Sequence, residues 1–288
     1  MSIYCASALL LSTIQTVRGN DGLSTAVDDG AIKDKLVAEA TAINNAGSAV
    51  PMAKLQEQLD RKTCNIALVP ASTAKLTASA LYDRCRPGVA VLAALYKCGK
   101  CSKWHTSVSA AVAIAEPDIF LTNCHVVLNT NALLLIAMTA DQKTAAVQEV
   151  LAADADDDWA IIRAPGLAAR PLPLKDKAEV GSDVYVIGHP DGRYYTFTRG
   201  NLARVFRKAP CACPKHKKPQ IHDTFWLQIT ADFAGGSSGG PVLDDCGNVI
   251  GIVASTRTVY HDDASHENVQ MVFKDCVPAS TVIKATRR

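Results

Sequence analysis

Apolar and polar positions follow two regimes along the chain. Up to Leu81, apolar residues recur at three-, four- and seven-residue steps: Ile32, Leu36 and Ile43, then Met52, Leu55 and Leu59, then Leu76 and Leu81. Such steps place side chains on one stripe of a helix, so residues 20–86 read as a small α-helical extension. Asp29 and Ser72 stand at N-cap positions, and Pro51 and Pro87-Gly88 mark boundaries. From residue 87 onward, short β-branched runs alternate with turn residues. The predicted strands are Val89–Tyr96, Val108–Ala115, Ile119–Thr122, Leu133–Ala137, Val147–Leu151, Ala160–Arg163, Val184–Ile187, Phe225–Ile229, Val249–Ser255 and Gln270–Phe273. Many short strands without long helical patterns between them imply an all-β domain. Pro171 to Pro173 form a stiff extended link that divides it into halves of about 87–170 and 174–288.

Chemistry enters at Ala234-Gly235-Gly236-Ser237-Ser238-Gly239-Gly240-Pro241-Val242. Glycines around a hydroxyl suit a nucleophilic serine whose own N–H and that of the residue two upstream face a developing oxyanion. Ser238 is the candidate nucleophile, and Gly236 and Ser238 supply the amides. A flexible Gly/Ser loop is the simpler reading, but Ile229 and Val242-Leu243 flank the segment as strands. Phe120-Leu121-Thr122-Asn123-Cys124-His125-Val126-Val127 offers His125 as a base near neutrality. His189 lies in a Gly188-His189-Pro190-Asp191-Gly192 turn, which accounts for it. Among Asp154, Asp156, Asp157 and Asp158, only Asp158 abuts the strand at Trp159, so it is the candidate to orient His125. The other three read as a solvated turn.

The order His125, Asp158, Ser238, with the segment around each, resembles the trypsin-like peptidases, in particular the bacterial high-temperature-requirement (Deg) branch. Thr122 to Val127, Asp158 to Ile161, Gly188 to Gly192 and Leu227 to Pro241 carry the resemblance, which covers about residues 87–288. It implies two packed six-stranded antiparallel β-barrels, with His125 and Asp158 on the first and Ser238 on the second, and a serine endopeptidase working through an acyl-enzyme. No cofactor is implied as required. Protein or peptide substrates are the expected partners, and a homo-oligomer is compatible with the branch. Ser237 replaces the aspartate that receives the freed N-terminus in digestive relatives, so no zymogen switch of that kind is expected. The forty-seven residues after Pro241 suffice to finish the second barrel and a short terminal helix, without the peptide-binding domain that often follows in this branch.

Specificity is open between two readings. Asp232 precedes Ser238 by six residues, the separation at which trypsin-type enzymes place an acid for Lys or Arg substrates. Deg proteases, aligned without gaps over Leu227 to Pro241, favour small aliphatic residues instead. Two rival functions also stand. One is a binding module on a degenerate protease scaffold. The other rests on Ser72-Thr73-Ala74-Lys75, which resembles the Ser-x-x-Lys motif of penicillin-interacting enzymes, although no Ser-Asp-Asn or Lys-Thr-Gly element follows.

Ten cysteines, at positions 5, 64, 85, 98, 101, 124, 211, 213, 246 and 276, favour an oxidising compartment with disulfide bonds, periplasmic or secreted. Residues 1–19 have a short apolar core in Ala8 to Ile14 but lack the basic start of a signal peptide. Cys98, Cys101, Cys211 and Cys213, with His105 and His216 nearby, have spacing that suits structural zinc as well as disulfides. Cys124 reads as structural. A net charge of +2 gives no nucleic-acid footprint, and the basic run from Arg207 to Lys218 reads as a solvated loop. No apolar run reaches membrane-spanning length.

Overall fold

The computed structural model describes residues 26–116, 118–208, 224–262 and 264–286, and two β-sheets dominate it. The first comprises β1 (Val89–Lys97), β2 (Trp104–Ala113), β3 (Ile119–Thr122), β4 (Leu134–Met138), β5 (Thr144–Ala146), β6 (Glu149–Asp154) and β7 (Trp159–Arg163). Their order is β5-β4-β1-β2-β3-β7-β6, antiparallel throughout. The two edge strands are consecutive in the chain. Only Val147 and Gln148 separate them, with Val147 N–H donating to Leu135 O and Gln148 N–H to Arg163 O. One bent stretch thus serves both edges and curls the sheet into a half-barrel. Counting β5 and β6 as that single stretch recovers the six strands expected of the first barrel.

The second sheet is a closed ring of six strands, in the order β10-β13-β12-β11-β8-β9. It is built from β8 (Asp183–Gly188), β9 (Thr196–Arg207), β10 (Phe225–Ile229), β11 (Pro241–Leu243), β12 (Val249–Asp262) and β13 (Glu267–Pro278). The fold is therefore mostly β and trypsin-like, and a short terminal helix (Ala279–Ala285) follows β13. Two differences from the sequence pattern stand out. Strands β5 and β9 were not among the predicted segments, and β12 and β13 continue past theirs as an exposed two-stranded ribbon pairing Val259 with Met271 and Asp262 with Glu267. The link Pro171 to Pro173 joins the halves through hydrogen bonds: Leu172 N–H donates to Ala113 O, and Val249 N–H to Pro173 O.

Strand β1 shows why a continuous apolar run forms here. Val89, Val91, Ala93 and Leu95 pack in one core cluster, and Ala90, Leu92 and Ala94 in another, so both faces are buried. The helical extension covers these faces. In α1 (Asp29–Ala46), Ile32, Leu36 and Ala40 are buried, and in α2 (Met52–Gln56) Met52 and Leu55 are. Each large apolar side chain so buried contributes about 1.5–3 kcal/mol.

The caps differ from expectation by short steps. Asp28, rather than Asp29, caps α1 by accepting from Ala31 N–H at 2.9 Å. The Asp29 carboxylate accepts instead from Tyr194 N–H at 2.9 Å, tying the helix to the second barrel. Thr77, rather than Ser72, caps α3 (Ala78–Cys85), which precedes β1; the next helix in the chain, α4 (Cys124–Val127), is a single turn after β3. Between α2 and α3 the chain is an extended strap. Ala153 N–H donates to Arg61 O on the first sheet, Cys64 N–H to Ala285 O, and Leu76 N–H to Asp245 O on the second. Asn248 accepts from Ser72 N–H and donates to Ser72 O. These long-range bonds override the helical spacing of Leu76 and Leu81. They also remove the Ser-x-x-Lys reading, since Ser72 is not on a helical turn and Lys75 Nζ is paired with Asp245 at 2.8 Å. No helix among the described residues is long and apolar enough to cross a membrane.

Candidate active site

His125 sits in α4, the turn that begins as soon as β3 leaves the first sheet. Its Nδ1 lies 2.9 Å from Asp158 Oδ2 and 3.1 Å from Oδ1, and its backbone N–H donates to Asp158 Oδ1 at 3.0 Å. Asp158 occupies the left-handed region at φ +56°, a conformation costing about 1 kcal/mol or more for a residue with a Cβ. Two features hold it there. Asp154 Oδ1 accepts from the N–H groups of Asp156 and Asp157, forming the turn that leads into it. Asn123 Nδ2, from a fully buried side chain, donates to Asp158 O at 2.9 Å. The imidazole remains 47% exposed while the aspartate side chain is 18% exposed, leaving the far ring nitrogen open to the cleft side.

Ser238 comes from the other barrel. Its loop is fixed by Gly239 N–H donating to Val253 O, Gly240 N–H to Ser237 O, and Ala110 N–H of β2 to Ser238 O at 2.7 Å. The last bond crosses between the two sheets. Gly239, at φ +83°, passes so close to β2 that an added Cβ would lie 2.2 Å from Ala110 O. Gly236 has φ +98°, and an added Cβ there would lie 2.3 Å from His189 O. Among the described residues, the N–H groups of Gly236 and Ser238 are not used in hydrogen bonds within the chain, whereas that of Ser237 donates to Ala234 O. Ser237 itself is fully buried, and its Oγ has no partner among the described residues.

Two cavities meet at Ser238. One, of ≈ 250 Å³, is lined by Ala94, Val108, His125, Val126 and Ser238 among others. The second, of ≈ 150 Å³, runs between Phe233, Gly235, Val253, Ala254 and Thr256, and no charged side chain lines it. His125 and Ser238 thus border one space, although no hydrogen bond joins Ser238 Oγ to the imidazole among the described residues. A larger cavity of ≈ 450 Å³ beside α1 holds no titratable group and lies away from these residues.

The comparisons with known proteins agree with this architecture. The family model of the trypsin-like peptidase domain matches residues 109–252, half of the chain. The chain belongs to the trypsin-like peptidases. A serine protease of Mycobacterium tuberculosis, Rv3671c, is 33% identical over 141 residues, covering 49% of this chain and 34% of that protein. Protease Do-like 1, chloroplastic, of Arabidopsis thaliana is 34% identical over 136 residues, covering 46% and 29%. The matched stretch therefore spans about a third of the length of these curated relatives. The crystal structure of the M. tuberculosis Rv3671c protease in its active form superposes with a TM-score of 0.57 at 26% identity, covering 78% of this chain and 89% of that one. The HtrA-type protease AlgW with a tripeptide superposes with a TM-score of 0.54 at 22% identity, over 73% and 62%, a likeness of fold.

In this trypsin-like peptidase, other sequence-singled residues fall away from the cleft. Asp232 does not line the small cavity beside Ser238: its side chain is 83% exposed and pairs with Lys274 Nζ at 2.9 Å. A carboxylate turned outward to a lysine cannot serve as the floor of a basic pocket. His189 is fully buried rather than a plain turn residue. It bridges the barrels, with Nε2 3.3 Å from Ala90 O and Nδ1 accepting from Tyr195 N–H at 3.1 Å. Burial lowers its pKa to about 4, so the ring is neutral with its proton on Nε2. Burial likewise pushes the Cys124 thiol up to about 12, which keeps it inert beside His125.

The seven described cysteines, Cys64, Cys85, Cys98, Cys101, Cys124, Cys246 and Cys276, are free thiols, against the expectation of disulfides. Cys5, Cys211, Cys213 and His216 lie outside the described residues, as do residues 1–19. Cys98, Cys101 and His105 do converge. The Cys98 thiol is held below the usual cysteine value, chiefly by the backbone N–H of Lys100. Sequence reasoning had given no role to Asn123, Ala110 or the bridging function of His189. Asn123 was within reach, because it lies in the Thr122 to Val127 segment; the other two act through partners remote in sequence.

Proposed function

We propose that the protein is a serine endopeptidase in which Ser238 is the nucleophile, His125 the general base and acid, and Asp158 the group that orients the imidazole. The observation that carries this reading is the His125 Nδ1 contact with Asp158 at 2.9 Å, made on the wall of the cavity that Ser238 also lines. With its Nδ1 proton directed at a carboxylate, the imidazole offers Nε2 to the serine proton. Hydrogen bonds of this kind tighten on substrate binding. Ser238 Oγ attacks the peptide carbonyl, the Gly236 and Ser238 amides receive the oxyanion, and the proton passes from His125 to the leaving amine. Water, giving a proton to His125, then attacks the ester carbonyl, the acid product leaves, and His125 returns the proton to Ser238 Oγ.

The uncharged ≈ 150 Å³ cavity supports small aliphatic residues before the scissile bond; it is well below the roughly 300 Å³ of the smallest usual ligand pockets. Labelling with a fluorophosphonate and cleavage of a peptide library test the whole reading. Ser238→Ala or His125→Ala should lower kcat by about 10⁶, and Asp158→Asn by about 10⁴. Ser238→Ala turning over like the wild type would end it. Wild-type protein that binds peptides but neither labels nor cleaves would establish the binding-module alternative. The periplasmic or secreted location is part of this proposal on cysteine content alone. Mass spectrometry of the native protein tests it, since each bridge removes two hydrogens.

A further inference from the structure

One cluster of ligating side chains takes no part in the proposed chemistry. It lies at the tip of the β1–β2 hairpin. Lys97 pairs with Trp104 and Tyr96 with His105, so the connection 98–103 brings Cys98, Cys101 and His105 to one place. The two sulfurs are 3.5 Å apart, and Cys101 Sγ is 3.1 Å from His105 Nε2. All three ligand atoms fall within 4.8 Å of one another. Tetrahedral zinc, with bonds of about 2.3 Å to sulfur and about 2.0 Å to nitrogen, sets S···S at about 3.8 Å and S···N at about 3.5 Å. The Cys98–Cys101 and Cys101–His105 separations are within a few tenths of an ångström of those values. A disulfide would need the sulfurs at about 2.05 Å, and both thiols are free.

We propose that Cys98, Cys101 and His105 bind a zinc ion through two thiolates and one imidazole nitrogen, leaving one tetrahedral position to a ligand from outside the hairpin. The tip is built to hold this geometry. Gly99 takes φ +70°, where a side chain would be strained. Lys97 Nζ donates to Ser102 O and lies 4.0 Å from the centre of the Trp104 ring, which ties the connection back to both strands. The Tyr96 ring flanks the His105 imidazole at 5.6 Å between centroids. These contacts restrain the hairpin tip that carries the three ligands.

The site also bears on the cleft. Ala94 and Ser107 are paired two residues inward from Tyr96 and His105, and both line the ≈ 250 Å³ cavity with His125 and Ser238. Zinc at the tip would staple the hairpin that forms this wall.

The test is metal content of the purified full chain by mass spectrometry, which reads binding whether or not the protein is a peptidase. One zinc per chain is expected, falling at least tenfold in Cys98→Ser, Cys101→Ser and His105→Ala, and unchanged in Cys246→Ser. Cobalt should replace the zinc with a thiolate charge-transfer absorption that weakens in each single cysteine variant. Chelation should lower the melting temperature of the wild type and leave that of Cys101→Ser where it is. Absence of zinc, its retention in the Cys98 and Cys101 variants, or a two-hydrogen mass deficit mapped to Cys98–Cys101 would overturn the proposal.

Discussion

Replacing His189 with phenylalanine should exchange stability at neutral pH for stability in acid. The imidazole is fully buried between the barrels, where its Nε2–H faces Ala90 O and its Nδ1 accepts from Tyr195 N–H. Protonation would have to strip water from a charge and set a second N–H against the Tyr195 donor. Desolvation accordingly lowers its pKa from 6.5 to about 4. Because the folded value is the lower one, the unfolded chain takes up the proton first as pH falls. The stability held above about pH 6.5 is therefore lost progressively down to about pH 4, by about 3 kcal/mol in all, since a tenfold difference in proton affinity is worth about 1.36 kcal/mol. Phenylalanine keeps the ring volume but leaves Tyr195 N–H unpaired and removes the bond to Ala90 O, costing about 2 kcal/mol at pH 7, and it does not titrate. The two stability curves should converge as pH falls and cross at about pH 5, where the wild type has itself lost about 2 kcal/mol. Urea denaturation from pH 4 to 7.5, followed by tryptophan fluorescence, measures both curves. Carboxylates common to the two proteins cancel in the difference. Parallel curves over that range would refute the assignment of a neutral bridging imidazole.

Three further outcomes follow from the site. Gly236→Ala forces a Cβ to within 2.3 Å of His189 O at a positive φ, so the amide should turn away and kcat on a peptide ester fall by about 10²–10³; unchanged kcat would mean that this N–H does not face the substrate oxygen. Asn123→Ala removes the hydrogen bond that holds Asp158 in its left-handed conformation, and should lower kcat by about tenfold or more with little change in KM. A rise in KM alone would place Asn123 in substrate binding instead. Asp232→Asn should leave the cleavage profile of a peptide library unaltered, since its carboxylate faces Lys274 rather than the cavity beside Ser238; loss of cleavage after Lys or Arg would reverse that conclusion.

The sequence by itself determined what depends on near neighbours. Alternating and continuous apolar runs marked β1, β3, β7, β8 and β10 because each buries one or both faces through its own residues. The proposed triad of His125, Asp158 and Ser238 could be nominated for the same reason: each lies in a short local segment whose glycines, turn or strand edge shape its surroundings. Tertiary structure decided the rest. Strand β9 is rich in threonine and arginine and has a single buried residue, Leu202. Its place comes from pairing with β8 and β10, and from Arg204 and Arg207 lying over the rings of Phe206 and Phe225, contacts that no periodicity records. The stretch through Ser72 and Leu76 has helical spacing but is drawn out by hydrogen bonds to Asp245 and Asn248, more than 160 positions away. Asp232 sits at a suggestive separation from Ser238, yet only packing sets which way its carboxylate turns. Periodicity carries energy terms summed over adjacent residues, whereas partners distant along the chain are selected when the two sheets close on each other, and that step assigned His189 its bridge to Ala90.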